Sequence, residues 1–539
     1  MAANEKDSRI ITQKDTIIQL KETVRSQNEL IDSLRTSVDS CNATIANLNE
    51  QVAYLTKKLF GTSSEKRGIC AGQLNLFDEV EQEAAAIDLP IPEVPAAKPV
   101  RKSRRTAADT FKGIPVRKEI ITLSDAEKFC PDCETPLERI GEELVRKEFR
   151  FTPAKGEIVA FYTETYKCPE CTNGNTPEKS YEFVKSKAPD PLIPHSYASA
   201  SAVAWAVYQK YANAMPLYRQ EKDWRQLGAD LSRATLANWI IFCAETYFAP
   251  MYEFFHRLQL KRKFLMADET RVQVLKEKGR SAESDSYMWL LRTGEDGLPP
   301  ILIYRYTQTR ARYNVKELLT GFEGYLQTDG YQGYNDLPGI KRCCCWAHVR
   351  RYFLDAVPKG KEYDYSNPAV QGVQFCGKLF EHERFCKEKQ YTYEQRHEYR
   401  NQKSKPLLAA FFAWLEAQNP VRGSRFDKAV TYAKNRKEYL VTFLEDGRCS
   451  LSNNLSENAI RPFTIGRKNW LFSDSAKGAY ASAVVYTMVE MAKAHTLNIF
   501  KYLNYLLEQR LNIDMPDAVL ETLAPWCCDV IDRCANYLE

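Results

Sequence analysis

Three acidic side chains stand in contexts suited to metal-ion chemistry. They are Asp268 in Phe264-Leu-Met-Ala-Asp-Glu-Thr270, Asp329 in Leu326-Gln-Thr-Asp-Gly-Tyr331, and Glu457 in Asn453-Asn-Leu-Ser-Glu-Asn-Ala-Ile-Arg-Pro462. Carboxylates are hard oxygen ligands that suit Mg²⁺ or Mn²⁺ and leave positions open for phosphate and water. Two aspartates that end separate strands, joined by a glutamate on a later helix, can hold two such ions for phosphodiester chemistry. Glu269 neighbours Asp268, but adjacent strand residues point to opposite faces, so its expected role is structural. Asn453 and Asn454 lie one helical turn before Glu457 and can hydrogen-bond the metal shell or a bound nucleic acid.

Cys345 and His348 make a Cys-x-x-His at the end of a strand. A buried histidine at a helix start, among core cysteines, is the plain reading. A zinc pair with Cys343 or Cys344 lacks complementary ligands nearby in the chain. Arg350, Arg351, Arg461, Arg467 and Lys468 gather around the acidic positions, with Trp470 close behind. Such cations bring phosphate toward a negative cleft, and some of them serve only as surface charge.

A second metal chemistry is written in Cys130-Pro-Asp-Cys133 and Cys168-Pro-Glu-Cys171, separated by 34 residues that include the strand-like Glu157-Ile-Val-Ala-Phe-Tyr162. Four thiolates at this spacing can close a tetrahedral Zn²⁺ site in a small ribbon, which either folds a module that lacks a core or presents it to DNA.

The elements that must position these groups follow from periodicity. Residues 8–60 carry heptads: Ile10, Ile17, Val24, Ile31, Val38, Ile45, Val52 and Leu59 fill position a, and Gln13, Leu20, Gln27, Leu34, Cys41, Leu48 and Leu55 fill d. β-Branched residues at a with Leu at d favour a two-stranded parallel coiled coil, hence a homodimer. A junction follows at Gly61, and the Ala- and Pro-rich stretch ends in the basic run Lys98–Arg105, either a linker touching phosphates or a solvated charge run. Between Tyr197 and Leu260 the pattern is helical. A Gly228 turn and a helix capped at Ser232 have the layout of a helix-turn-helix that would aim Arg233, Thr235 and Asn238 at a groove.

From Lys263 onward, three strands, a helix, a strand, a short helix, a strand and a helix predict a mixed sheet flanked by helices. Between Asp329 and Glu457 lie 127 residues, more than one strand and one helix need. Leu407–Leu415 and Phe426–Leu444 mark that surplus as a helical insertion.

Composition sets limits. A chain of 539 residues exceeds a single core. Lys plus Arg number 75 against 70 Asp plus Glu, so local clusters, rather than net charge, must carry any case for a polyanionic partner. No apolar stretch suits a membrane span and Met1–Arg9 is not a signal peptide. The 16 cysteines therefore read as thiols and metal ligands of a soluble intracellular protein.

The chain resembles transposases of the insertion sequence 66 family, a branch of the DDE transposases. The matching stretches are Leu59–Lys66, the two cysteine knuckles, Ala267–Thr270, Gln327–Tyr334, Cys345–Arg351, Asn453–Pro462 and Ile465–Phe472, in order along nearly the whole chain. Met266 stands where relatives often have histidine, and Ser452 where they often have aspartate. The resemblance implies a ribonuclease H-like catalytic core, with Asp268, Asp329 and Glu457 as a DDE triad holding two Mg²⁺ (or Mn²⁺) ions and His348 near the scissile phosphate. It further implies binding to terminal inverted repeats, strand cleavage and transfer into target DNA, and the company of other element-encoded proteins in a bacterial cytoplasm, at the nucleoid.

The expected multidomain α+β organisation is then a coiled coil over 8–60, a junction and basic linker over 61–115, a zinc ribbon over 116–190 and a helical DNA-binding region over 191–262. The catalytic core follows in two parts, 263–357 and 448–495, split by a helical insertion over 358–447, with a helical region over 496–539. Two other readings of the same residues are a zinc-containing dimeric DNA-binding protein with an inactive core, and a ribonuclease H-like nuclease without transposition.

Overall fold

The computed structural model describes residues 21–22, 24–28, 30–38, 158–162, 165–167, 183–185, 189–361 and 363–535. The cysteine knuckles, the basic linker and most of the heptad run lie outside them. The described residues within 21–38 are helical, and the heptad residues Val24, Ile31, Leu34 and Val38 are exposed. A short antiparallel pair, β1 (Thr165–Lys167) and β2 (Phe183–Lys185), follows.

Helix α1 (Ala200–Val207) starts where the Ser199 side chain accepts from the Ala202 amide. Helices α2 (Leu217–Gln226) and α3 (Arg233–Cys243) flank a turn at Gly228, and Ser232 caps α3 by accepting from the Thr235 amide. A single π-helical turn carries α3 into α4 (Ala249–Leu260).

The central sheet comprises β3 (Phe264–Lys276), β4 (Asp285–Thr293), β5 (Leu302–Thr307), β6 (Gly324–Thr328) and β7 (Ile340–Cys344), in the order β5-β4-β3-β6-β7. Strands β3, β4 and β5 are antiparallel neighbours, whereas β6 and β7 run parallel to β3. The crossover from β5 to β6, the parallel neighbour of β3, uses α5 (Arg312–Leu318). The run Phe264-Leu265-Met266-Ala267 is buried throughout, as a central strand covered on both faces must be. Alternation divides it: Phe264 and Met266 join one apolar core, Leu265 and Ala267 the other.

That first core belongs to a helical segment. After α6 (Trp346–Ala356) come α7 (Pro368–Glu388), α8 (Tyr393–Tyr399), α9 (Lys405–Glu416), α10 (Arg425–Lys434) and α11 (Lys437–Val441). Their Cys376, Leu408, Phe411, Phe412 and Leu440 pack on Trp346 and Phe353 of α6 and on the Phe264/Met266 face of β3. The fully buried Arg400 makes two 2.7 Å bonds to Glu383 and donates to the carbonyls of Phe443, Asp446 and Cys449. It fastens the segment to the stretch leading back to the sheet.

That stretch enters α12 (Asn454–Trp470), then β8 (Ser473–Ser475), which pairs with the far end of β3, and α13 (Ala476–Ala494). Helices α14 (Ile499–Gln509), α15 (Asp517–Thr522) and α16 (Cys528–Cys534) complete a second core shared by α1–α4, the sheet, α12 and α13. Gly466 allows α12 to lie against α13, because a Cβ there would come 2.4 Å from Tyr486 Oη and 2.2 Å from Trp470.

Candidate active site

The apolar run before Asp268 predicts a strand end at that residue, but β3 continues to Lys276. What ends near Asp268 is one partner only. Parallel pairing with β6 stops at Met266↔Gln327, while antiparallel pairing with β4 persists to Gln273↔Asp285. The sheet therefore splits beside Asp268, between β3 and the C-terminal end of β6, where the chain turns through Asp329. Two long-range bonds set α12 over this split: Asn453 Nδ2 donates to the Ala267 carbonyl at 3.1 Å, and the Asn453 amide donates to Cys345 Sγ at 3.2 Å. The start of α6 is held alongside, its Trp346 amide donating to the Leu451 carbonyl at 2.9 Å. Glu457 and His348 thereby meet, with Nδ1 and Oε1 3.8 Å apart.

The carboxylates are close enough to repel one another. Burial, and then the charges of Glu269, Glu457 and Asp329, hold the Asp268 carboxyl well above the usual carboxylate range, although its Oδ1 accepts from the Glu269 amide at 2.8 Å. Such a cluster of half-buried acids concentrates negative charge, which divalent cations would offset. Asp329 Oδ1 accepts from the Tyr331 amide at 2.9 Å, and its Oδ2 lies 3.9 Å from Arg310. Burial together with the Arg351 charge pushes His348 down to about 4, leaving a neutral imidazole at physiological pH. Among the described residues, His348 Nδ1 has no hydrogen-bond partner.

Glu269 is held by partners of its own. Its carboxylate takes Arg310 Nε at 2.7 Å and the Tyr334 hydroxyl at 2.5 Å, and burial followed by Asp329 raises it to about 7. Beneath Asp329, the buried Arg342 donates to Thr328 Oγ1 at 2.9 Å and to the Asp329 carbonyl at 2.6 Å. From the helical segment, Arg436 Nη2 donates to the Gly330 carbonyl at 2.8 Å and stacks over Tyr432 at 3.9 Å. Sequence spacing marks none of Arg310, Tyr334, Arg342 or Arg436, because each reaches the site across the fold.

The basic residues disperse. Arg467 is mostly buried, its Nη1 donating to Thr270 Oγ1 at 3.2 Å, and burial lowers its pKa. Arg351 lies close enough to His348 to act on its ring, whereas Arg350 acts on Cys376 of α7. Arg461 is half-buried and Lys468 exposed on α12. On α3, Arg233 and Asn238 are exposed, while the Thr235 hydroxyl is 2.9 Å from Ser232 Oγ within the cap. Cys343 and Cys344 are buried away from His348, in the core of the helical segment. Cys130, Cys133, Cys168 and Cys171 lie outside the described residues.

By fold, the described residues form a mixed α/β protein with an acidic cluster where its sheet divides. Residues 195–481 match the family described as "Transposase IS66 family", residues 127–172 the "zinc-finger binding domain of transposase IS66", and residues 47–112 "Transposase C of IS166 homeodomain". The chain belongs to the IS66 transposase family. Membership makes it a DNA-binding transposase with a zinc-finger domain.

Relatives in Sinorhizobium fredii (strain NBRC 101917 / NGR234) extend over most of both chains. Uncharacterized protein y4qI is 29% identical over 498 residues, 88% of this chain and 87% of its own length. Uncharacterized protein y4hP is 26% identical over the same span and coverage, and uncharacterized protein y4jD is 26% identical over 442 residues, 79% of this chain and 83% of its own. Among the described residues, no helix is long and apolar enough to cross a membrane.

Proposed function

We propose that Asp268, Asp329 and Glu457 hold two divalent cations, Mg²⁺ or Mn²⁺, and that the protein cuts and joins DNA at the terminal inverted repeats of its element. One observation supports this reading: Asp268 on β3 and Asp329 after β6 flank one split in the sheet, and the Asn453 bond to the Ala267 carbonyl holds the helix of Glu457 over it. The three-stranded antiparallel half joined to two parallel strands supports a ribonuclease H-like core. Bound ions would activate a water, and later the freed 3′-hydroxyl, and stabilise the leaving oxygen.

The protein's own groups prepare that site. Asn453 fixes α12, and so Glu457, against the strand that carries Asp268. Arg342 and Arg436 hold the turn around Asp329. His348 stands beside Glu457, with Arg351 near its ring, where a scissile phosphate would enter. Arg233 and Asn238 at the exposed start of α3 contact DNA in this reading, with Arg461 and Lys468 of α12 nearer the cleft. The heptad run dimerises the chain, Cys130, Cys133, Cys168 and Cys171 bind the structural zinc, and companion element-encoded proteins assist.

The test is purified protein with terminal-repeat DNA and Mg²⁺. Strand cleavage is expected, and Asp268→Asn should abolish it. Cleavage that survives this substitution would refute the triad.

A further inference from the structure

We propose that Cys345, His348 and Glu457, the last shared with the acidic cluster, form a site for a thiophilic divalent cation of the zinc class. Cys345 Sγ, a ring nitrogen of His348 and a carboxylate oxygen of Glu457 all lie within 4.8 Å of one another. The His348 Nδ1 to Glu457 Oε1 separation of 3.8 Å is a few tenths of an ångström longer than the tetrahedral edge of about 3.3–3.6 Å that zinc–nitrogen and zinc–oxygen bonds set, so a small side-chain shift closes the site.

The sulfur is held in place by the backbone. It is fully buried, and it accepts from the Asn453 amide at 3.2 Å. Backbone donors of this kind stabilise and orient a metal-bound thiolate. His348 Nδ1 has no partner among the described residues and sits inside the same group. Thiolate and imidazole select zinc-class ions, whereas an oxygen-only set suits magnesium. Three protein ligands leave a fourth position for water or a phosphate oxygen.

Sequence spacing hides this site because its third ligand comes from α12, beyond the whole helical segment. The ion would share Glu457 with the proposed magnesium set and draw that carboxylate toward Cys345. The inference stands on the ligand geometry and does not require Asp268 and Asp329 to bind magnesium.

The test uses the full chain exchanged with Co²⁺ by dialysis, and subtracts the absorption spectrum of Cys345→Ser from that of the unsubstituted protein. Cobalt in the zinc finger cancels in the subtraction. The expected difference is a near-ultraviolet sulfur-to-cobalt band with tetrahedral visible bands, equivalent to one cobalt per chain. A flat difference spectrum overturns the proposal. Because Cys345 is buried, His348→Ala serves for the same subtraction if Cys345→Ser does not fold, and its visible bands are then the readout. Loss of Mg²⁺-dependent cleavage in Asp268→Asn leaves this band untouched, so the two readings fail independently.

Discussion

Asn453 Nδ2 donates to the carbonyl oxygen of Ala267 at 3.1 Å, joining the residue before Asp268 directly to the start of the helix that bears Glu457. The bond spans the whole helical segment in sequence, and Asn453 is fully buried. Asn453→Ala leaves the Ala267 carbonyl without this donor at a cost of about 1–3 kcal/mol. The greater effect is expected on metal use, because a group that orients a ligand typically contributes about 10–100-fold in metal affinity. Mg²⁺ titration of cleavage, set beside a urea melt, separates the two. An unchanged Mg²⁺ midpoint with a lowered melt would make Asn453 merely structural.

Asp268 ties stability to pH and metal. Its carboxyl is held above the ordinary range by burial and by neighbouring carboxylates, so the folded state binds its proton more tightly than the unfolded chain does. The metal-free protein therefore loses stability as pH rises above about 4. Asp268→Asn removes the repelled charge. At pH 7 without Mg²⁺ the variant should melt higher than the parent by on the order of 2–4 °C, and the gap should close toward pH 4. Added Mg²⁺ should raise the parent more than the variant. Scanning fluorimetry decides it: a variant that melts lower at both pH values contradicts the mutual repulsion.

The acidic residues that meet at the split, and the strands that lead to two of them, were readable because their signals are local. An apolar run ends in Asp268, an Asp-Gly turn follows β6, and paired asparagines precede Glu457 by one helical turn. The continuation of β3 was also written locally, in the alternation of Val272 and Val274, but the polar Glu269-Thr270-Arg271 masks it. What could not be read is the support. Arg310 meets Glu269, Arg342 meets Thr328, and Arg436 meets Gly330 only after separate elements pack, and no period relates such positions. The same limit hides the approach of Cys345 and His348 to Glu457.

Arg310 balances a buried acid. Glu269 is pushed up to about 7 even with Arg310 and Tyr334 opposing the rise. Arg310→Ala removes the main opposing charge, so the cost appears as pH climbs through about 7 and Glu269 must ionise unpaired. Arg310 is 37% exposed, and solvent screening holds the expected loss to the lower part of about 1–3 kcal/mol at pH 8. At pH 5 the loss should be smaller, and Glu269→Gln in the same chain should recover most of it. Urea melts of the single and double variants at both pH values are the check, and equal losses at pH 5 and 8 would show that charge is not the cause.

Helix α3 offers a test of DNA contact apart from catalysis. Arg233 and Asn238 are exposed on its first turns, whereas the Thr235 hydroxyl lies within the cap. Arg233→Ala and Asn238→Ala should leave the thermal melt unchanged and weaken terminal-repeat binding by about 1–3 kcal/mol each if they contact bases. A uniform loss on all sequences, with a shallower salt dependence, would instead mark a phosphate contact. Fluorescence anisotropy at two salt concentrations, with repeat and unrelated duplexes, distinguishes these results. Unchanged binding removes α3 from the interface.

Gly330 couples the helical segment to Asp329. A Cβ at this position would come 2.6 Å from Arg436 Nε and 2.7 Å from Tyr432 Oη, so only glycine lets the guanidinium close over the turn. Arg436 uses that approach to hold the Gly330 carbonyl at 2.8 Å. Gly330→Ala must displace Arg436 or move the turn, and either shift misplaces the Asp329 carboxylate. Cleavage at limiting Mg²⁺ should fall for Gly330→Ala and for Arg436→Ala alike. The double variant should be little worse than either single one, since both break the same contact. Strictly additive losses would mean that the two residues act separately, and that the helical segment does not set the position of Asp329.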